Sequence, residues 1–198
     1  MDRPREAGES TELLERAVGY ALCSARPVTA ALLSRPTPCR GWDLCALLAH
    51  TNDSLAALRQ GAEEGCTGLQ PPEGARGGQG ACDPVDVFRR NAAGLLGACA
   101  ATRRTPVVVT VDGWPLDAAV MAAAGALEIA VHGWDIARAT GLPRPIPTAL
   151  AAALLRTACG LVPEPAGRYP LFGLPVPVPT RADPGDRLVA FLGRDPGG

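Results

Sequence analysis

The two histidines of the chain, His50 and His132, are the residues whose positions point most directly to chemistry. His132 follows Glu128 by four residues, so the two side chains lie on the same face of a helix. Asp135 is three residues further on and joins that face. Burying a carboxylate and an imidazole in an alanine-rich helix is costly unless they have a partner, and a divalent metal inside a helix bundle is such a partner.

A metal site with an open position is the chemistry that these residue types support. His50, Glu128 and His132 would supply two nitrogens and one oxygen, a set that suits tetrahedral Zn²⁺ with a fourth position left free. Such a metal lowers the pKa of water or of a thiol that it binds. In this interpretation Asp135 either orients a ligand from behind or acts as a base.

The same spacing is also compatible with simpler interpretations. A glutamate and a histidine four residues apart form surface pairs on many helices, and His50 lies on a helix flank of small residues where a solvated histidine is common. Asp135 is explained equally by a surface ion pair with Arg138, three residues away. Trp42 and Trp134 are explained as packing residues. The spacing alone leaves these alternatives open.

Six helices are predicted to position these residues. Apolar residues recur at helical spacing after each of several start signals, such as Asp43 before the second helix and Asp83-Pro84 before the third. The predicted helices start near residues 10, 42, 83, 116, 147 and 183, and Gly141 ends the fourth. A short helical turn is expected over residues 28–33. The second and fourth helices then carry His50 and the Glu128–His132 pair.

Three segments between the helices are predicted to be irregular or extended. A β-branched run makes residues 107–111 strand-like. The Gly-rich residues 61–82 are predicted to form a flexible loop, and we consider it as a lid because it leaves the helix that carries His50. Residues 163–198 are predicted to be an extended Pro-rich tail with a short terminal helix. The whole chain, 1–198, is expected to form one domain, mainly all-α, built as a four-helix bundle with long crossovers.

Composition excludes several classes of function. The formal net charge of −1 comes from 19 basic and 20 acidic residues, so the chain lacks the basic excess of a nucleic-acid-binding protein. All the basic residues are arginine, which excludes chemistry that needs a lysine. The first ten residues are polar and predict no secretory signal. The apolar stretch 118–131 contains Glu128 and is too short for a membrane span, so we expect a cytoplasmic protein.

The seven cysteines do not predict a disulfide framework. Seven is an odd number and no two cysteines form a CxxC pair, so we expect reduced and mostly buried thiols.

Two motifs make the chain resemble a known family. The string PTPCRGWDLCALLAH at residues 36–50 is similar to a PTPCxxW…dLlaH signature. The string EIAVHGWDIARATG at residues 128–141 is similar to an ExxxHGWDLArATG signature. Both signatures belong to the actinobacterial DinB-like family of mycothiol-dependent maleylpyruvate isomerase-like proteins. The tail segments 172–179 and 188–196 also resemble the end of short members, so the likeness covers nearly the whole chain.

The resemblance implies a fold, a metal and a reaction type. It implies a DinB-like four-helix bundle that binds a divalent metal, usually zinc. We consider nickel as the alternative metal. The family's ligands fall on His50, Glu128 and His132. Characterised members bind a low-molecular-weight thiol, mycothiol, and use its thiolate to attack an electrophilic carbon, either in S-transfer or in isomerisation of a double bond.

The sequence therefore predicts a metal- and thiol-dependent transferase or isomerase. Its partners would be a small electrophilic metabolite and a low-molecular-weight thiol such as mycothiol, with no nucleic acid and no membrane. Two alternatives stay open: a metal-dependent hydrolase or cyclase of specialised metabolism that uses no thiol, and a non-catalytic metal-binding protein.

Overall fold

Helices form most of the protein. The structure is a computed structural model, and it describes residues 3–68, 83–102, 108–168 and 171–197. In those residues the α-helices are α1 Arg3–Ala25, α2 Leu44–Glu64, α3 Pro84–Thr102, α4 Ala118–Thr140, α5 Thr148–Leu161 and α6 Pro184–Phe191. The strands are β1 Cys66–Thr67, β2 Val108–Val111 and β3 Trp114–Asp117. The predicted mainly all-α class is confirmed, and that the whole chain forms one domain stays a prediction.

Helix α4 lies at the centre of a bundle formed by α1–α4. It packs against α1 and α2, and α3 also packs against α1 and α2. Small residues allow a close approach, because a Cβ atom added at Gly133 of α4 would lie 3.0 Å from both Cα and Cβ of Ala21 in α1. Helices α5 and α6 pack against each other, and α5 also contacts α4. This arrangement buries nearly every side chain of the C-terminal half of α4.

The apolar character of α4 is accounted for by this central position. Its 23 residues are long and apolar enough to cross a membrane by length and composition, with a mean hydropathy of 1.2 in the most apolar window. However, 61% of that window is buried inside the bundle. A core helix of a globular protein has the same composition as a membrane span when all its sides are covered.

Acidic side chains cap helices α2 and α3 where the sequence predicted their starts. Asp43 accepts a hydrogen bond from the backbone N–H of Ala46 at 2.8 Å and begins α2. Asp83 accepts from the N–H of Val85 at 2.9 Å at the start of α3. These bonds satisfy backbone donors that have no partner within the helix.

The Asp43 cap gives a first prediction about stability. Replacing Asp43 with alanine should lower the free energy of unfolding by about 1 kcal/mol, because a backbone N–H at the start of α2 loses its acceptor. Urea unfolding followed by circular dichroism measures this change. Asp53→Ala, inside the same helix and away from its end, is the matched control and should change the free energy by less than about 0.5 kcal/mol. Equal losses in the two variants would contradict the capping role.

The sheet is larger than the predicted strand-like stretch 107–111. Strand β2 occupies the described part of that stretch, and it continues through a two-residue turn into β3, which the sequence did not predict. The turn residues Asp112 and Gly113 both have positive φ angles, 48° and 84°, as a tight hairpin turn of this kind requires. Because residues 114–117 pair with β2, α4 begins at 118 rather than near 116.

Two helix boundaries predicted in the N-terminal half of the chain are wrong. The flexible loop was predicted from residue 61, but α2 continues to Glu64, ends at Gly65 with a left-handed φ of 69°, and leads into β1, which pairs in parallel with β2. Gly61 is buried inside α2 rather than in a loop. The rest of that segment, 69–82, lies outside the described residues, so the lid stays a prediction. Helix α1 begins at Arg3, seven residues before the predicted start.

The C-terminal segment is packed onto the bundle rather than extended away from it. The predicted short terminal helix is confirmed as α6, and its residues Leu188 and Val189 belong to the core. The backbone N–H of Val176 donates to the carbonyl of Ala190 at 2.9 Å, which ties the Pro-rich stretch to α6. Arg168 is buried and donates to the carbonyl of Phe191 at 2.5 Å.

The prediction of mostly buried thiols is wrong for the described residues. Among the six cysteines described, Cys99 is buried and Cys39 is half-buried, while the other four are exposed: Cys23, Cys45, Cys66 and Cys159. The thiols of Cys23, Cys39, Cys45, Cys66 and Cys159 are free. The exposed ones lie on helices α1, α2 and α5 and on strand β1.

Candidate metal centre

Helices α2 and α4 bring three of the predicted site residues together. His50 comes from α2, and Glu128 and His132 come from α4; one potential ligand atom of each lies within 4.8 Å of the others. The Nε2 atom of His50 is 3.0 Å from Oε1 of Glu128. The two imidazole rings have centroids 5.2 Å apart and are nearly perpendicular, at 89°. The distance between the histidines therefore allows both to bind one ion.

The register between the two helices explains this convergence. On α2, His50, Ser54 and Leu58 follow one another at four-residue spacing and so share a face. Leu58 packs onto Gly125 of α4, where an added Cβ would come within 2.5 Å of the leucine Cδ2. The glycine thus lets the helices approach, and Ser54 and His50 then lie opposite Glu128.

His132 is oriented from behind by Asp135. Its Nδ1 lies 3.1 Å from Oδ2 of Asp135, whose side chain is completely buried. Arg194, which follows α6, donates from Nη2 to the same oxygen at 3.0 Å. Because Nδ1 is occupied by the carboxylate, Nε2 is the ring nitrogen of His132 that is left for a metal.

The alternative in which Asp135 pairs with Arg138 on the surface is wrong. Asp135 points into the protein, and the guanidinium of Arg138 instead lies over the ring of Trp134, 5.5 Å from its centroid. The three-residue spacing was correct for a surface pair, but the side of α4 that carries Asp135 is covered by the C-terminal segment. Nothing in the sequence indicated that the C-terminal segment packs against this side of α4.

Glu128 is held by a hydroxyl group that sequence analysis did not identify as functional. Ser54 Oγ donates to Oε1 of Glu128 at 2.5 Å. The signal for it was its position four residues after His50, which places it on the same face of α2. Ser54 and Asp135 therefore each fix one of the two α4 side chains in the cluster.

Both carboxylates of the site are ionised at neutral pH. Burial by itself would raise the pKa of Glu128, but hydrogen bonds from His50 and Ser54 outweigh burial and the pKa is lowered. Burial would likewise raise the pKa of Asp135, and the hydrogen bond from His132 together with the charge of Arg194 lowers it. An ionised carboxylate is the form that binds a metal or accepts hydrogen bonds.

These lowered pKa values predict acid sensitivity of the metal-free protein. A carboxylate whose pKa is lower in the folded state stabilises the fold above its unfolded-state pKa, and this stabilisation is lost as the pH falls through the folded-state pKa. For Asp135 the loss begins near the ordinary value of 3.8 and continues below it. Urea unfolding of metal-free protein at pH 7 and at pH 3 should show a lower free energy at pH 3. Asp135→Asn should show a smaller difference between these pH values, and an unchanged difference would contradict the role of Asp135.

A second group of potential ligands shares His132 but is less suited to a metal. Cys39, His132 and Asp135 also bring ligand atoms within 4.8 Å of one another. Burial raises the pKa of the Cys39 thiol, which disfavours the thiolate that a metal requires. Asp135 is already bonded to His132 and Arg194. The group His50, Glu128 and His132 is therefore the candidate metal centre.

The matched family agrees with the predicted resemblance. Residues 15–137 match the family model described as the mycothiol maleylpyruvate isomerase N-terminal domain. The chain belongs to this family. The family is mycothiol-related, metal-binding and DinB-like. All three candidate ligands and Asp135 lie within the matched residues, whereas Arg194 lies beyond them.

Two curated relatives of this family member are described as uncharacterized. Two uncharacterized proteins of Mycobacterium tuberculosis, from strains CDC 1551 and H37Rv, are each 27% identical to it over 168 residues. The alignment covers 84% of this chain and 87% of each relative. No solved structure matches the chain significantly.

In this member of the family the centre is accessible from one side. The side chains of His50 and Glu128 are 38% and 37% exposed, while that of His132 is 10% exposed. Trp42 forms a wall of the site, with its ring centroid 4.6 Å from that of His50 and 6.3 Å from that of His132. A small molecule can therefore approach the His50–Glu128 side next to an aromatic surface, while His132 anchors the site in the core.

Proposed function

We propose that His50, Glu128 and His132 bind a divalent metal, with zinc as the expected ion and nickel as the alternative. Two imidazole nitrogens and one carboxylate oxygen form a donor set that zinc uses in catalytic sites, where a fourth position is kept for water or substrate. The carboxylate behind His132 supports this assignment, because histidines that bind metals usually donate their other ring N–H to such a group.

The charge of the site favours an anionic ligand in addition to the metal. The carboxylates of Glu128 and Asp135 and the guanidinium of Arg194 together leave one negative charge when the histidines are neutral. A divalent cation would reverse this to one positive charge. In a partly buried site an unbalanced charge is costly, so an incoming anion such as a thiolate or a carboxylate is attracted.

We propose that the protein activates a low-molecular-weight thiol, such as mycothiol. The thiol would then either be transferred to a small electrophilic metabolite or catalyse the isomerisation of that metabolite. The observation that carries this proposal is the cluster of His50, Glu128 and His132, open on one side, in a member of the mycothiol maleylpyruvate isomerase N-terminal domain family. Zinc, when bound, lowers the pKa of a thiol that coordinates it and keeps the resulting anion in place.

The side chains of this protein have separate roles in the proposal. His50, Glu128 and His132 hold the ion, while Ser54 and Asp135 keep Glu128 and His132 in position. Trp42 limits the space beside His50. We further propose that the partners are small molecules only and that the protein acts in the cytoplasm.

A thiol titration of the cobalt-loaded protein tests the proposed function. Cobalt(II) replaces zinc in such sites and gives an absorption spectrum that responds to its ligands. Adding mycothiol is expected to produce a new sulfur-to-cobalt absorption band in the near ultraviolet, and the same titration of His132→Ala is the control without a site. If cobalt binds but mycothiol leaves the spectrum unchanged, the proposal of thiol activation is wrong. Metal-dependent chemistry that uses no thiol then becomes the proposed function.

A further inference from the structure

Arg194 links the C-terminal segment to the candidate metal centre. Its Nη2 lies 3.0 Å from Oδ2 of Asp135 and its Nε lies 3.4 Å from Oδ1, so the guanidinium faces both carboxylate oxygens. The side chain is only 11% exposed. Asp135 in turn accepts from Nδ1 of His132. A continuous chain of bonded groups thus runs from Arg194 through Asp135 to a proposed metal ligand.

The backbone around Arg194 fixes this guanidinium in place. Gly193 has a φ angle of 85°, and it packs so closely on the backbone of Gly173 that an added Cβ would come within 2.6 Å of the Gly173 Cα. The N–H of Arg194 donates to the carbonyl of Val189 at 2.9 Å, and its Nη1 donates to the carbonyl of Leu192 at 3.1 Å. The cation is therefore held at its backbone and at its tip.

We propose that Arg194 is a positioning residue for the metal centre. It holds the carboxylate of Asp135 in the orientation that accepts the Nδ1–H of His132, and this leaves Nε2 of His132 as the ligand nitrogen. The inference rests on the proposed metal-binding function of His132. According to this proposal, the segment after α6 helps to complete the site. That segment lies outside residues 15–137, which match the family model.

The physical basis is that a buried carboxylate with one partner is poorly fixed. Without Arg194, Asp135 would keep, among its partners in the described part of the chain, only the bond from His132, and burying an incompletely paired carboxylate is costly. The side chain would turn toward other donors or admit water, and His132 would lose the acceptor that selects its tautomer. Loss of such a carboxylate partner of a metal-binding histidine weakens metal affinity by about 10–100-fold in other metal sites.

Zinc affinity measured by competition with a chromophoric chelator tests this role. Arg194→Met, which keeps an unbranched side chain but removes the guanidinium and its charge, is expected to bind zinc about 10–100-fold more weakly than the wild-type chain. Arg194→Lys should show a smaller loss in the same direction, because an ammonium group cannot face both oxygens. Arg187→Met changes an exposed arginine of α6 and should leave the affinity unchanged.

A second measurement does not depend on metal. Nitrogen-15 NMR of the histidine side chains in the metal-free protein should show His132 in the Nδ1–H tautomer for the wild type and a mixture of tautomers for Arg194→Met. If the wild type binds no zinc, the proposed function fails, and the tautomer still decides the role of Arg194. Wild-type zinc affinity and wild-type tautomer in a folded Arg194→Met variant would overturn the inference. Should that variant not fold, Arg194→Lys decides by the same two measurements.

Discussion

Replacing His132 with alanine is expected to remove zinc binding at micromolar concentrations while leaving the helix bundle folded. The change takes away one of the three proposed protein ligands and also the hydrogen bond between His132 and Asp135. Structural zinc sites with four ligands bind with about 10–16 kcal/mol, roughly 3 kcal/mol for each ligand, so losing one ligand weakens binding by about 100-fold or more. Chelator competition measures this loss.

The same experiment needs a test of folding and a matched variant. Far-ultraviolet circular dichroism should show nearly unchanged helix content, because His132 sits within a long helix whose other buried residues remain. Glu63→Gln, which changes an exposed glutamate of α2 that pairs with Arg59, should bind zinc as the wild type does. Glu128→Gln should resemble His132→Ala. Wild-type affinity in His132→Ala would exclude this residue as a ligand.

Replacing Gly193 with alanine is expected to destabilise the protein more than most single changes. Gly193 has a left-handed φ of 85°, where an alanine costs about 1–2 kcal/mol. In addition, the new Cβ would meet backbone atoms of Gly173 that cannot move as a flexible side chain would, which adds about 1–3 kcal/mol. Together these effects lower the melting temperature by roughly 5–15 °C. Differential scanning calorimetry of the metal-free protein measures the change.

The matched control is a glycine in an ordinary helical conformation. Gly19 is exposed in the middle of α1, and an added Cβ would meet nothing within 4 Å. Gly19→Ala should therefore stabilise the protein by up to about 1 kcal/mol, because alanine favours helices over glycine. Gly193→Ala should also weaken zinc binding, since Gly193 precedes Arg194. A Gly193→Ala variant as stable as the wild type would contradict the close contact with Gly173.

The helices and the ligand cluster could be predicted from the sequence because they depend on local spacing. The four-residue spacing of Glu128 and His132, the caps such as Asp43 and the glycine after α4 are all signals within one or two turns. The position of His50 on the small-residue flank of α2 was also a local signal. Its meeting with Glu128 required the helices to pack in one register, which local spacing does not determine. The residue types suggested the cluster, and the family resemblance implied the same three residues.

The remaining features depend on contacts between distant segments. Arg194 is 59 residues from Asp135 in the chain, and no periodicity in either segment indicates that they meet. The role of Ser54 could be predicted only with knowledge of the α2–α4 register, because its hydrogen bond to Glu128 joins residues 74 positions apart. The hairpin escaped prediction because β3 is four residues long and contains a proline. Arg194 and Ser54 were therefore harder to predict than the residues that form the cluster.

Metal content of the purified chain tests the central claim most directly. The protein would be stripped with a chelator, reloaded with zinc, desalted and measured by inductively coupled plasma mass spectrometry, with circular dichroism on the same sample. We predict about one zinc per chain, as expected for a single three-ligand site, and far less than one for His132→Ala. A correctly folded wild-type chain that retains no zinc would contradict the account.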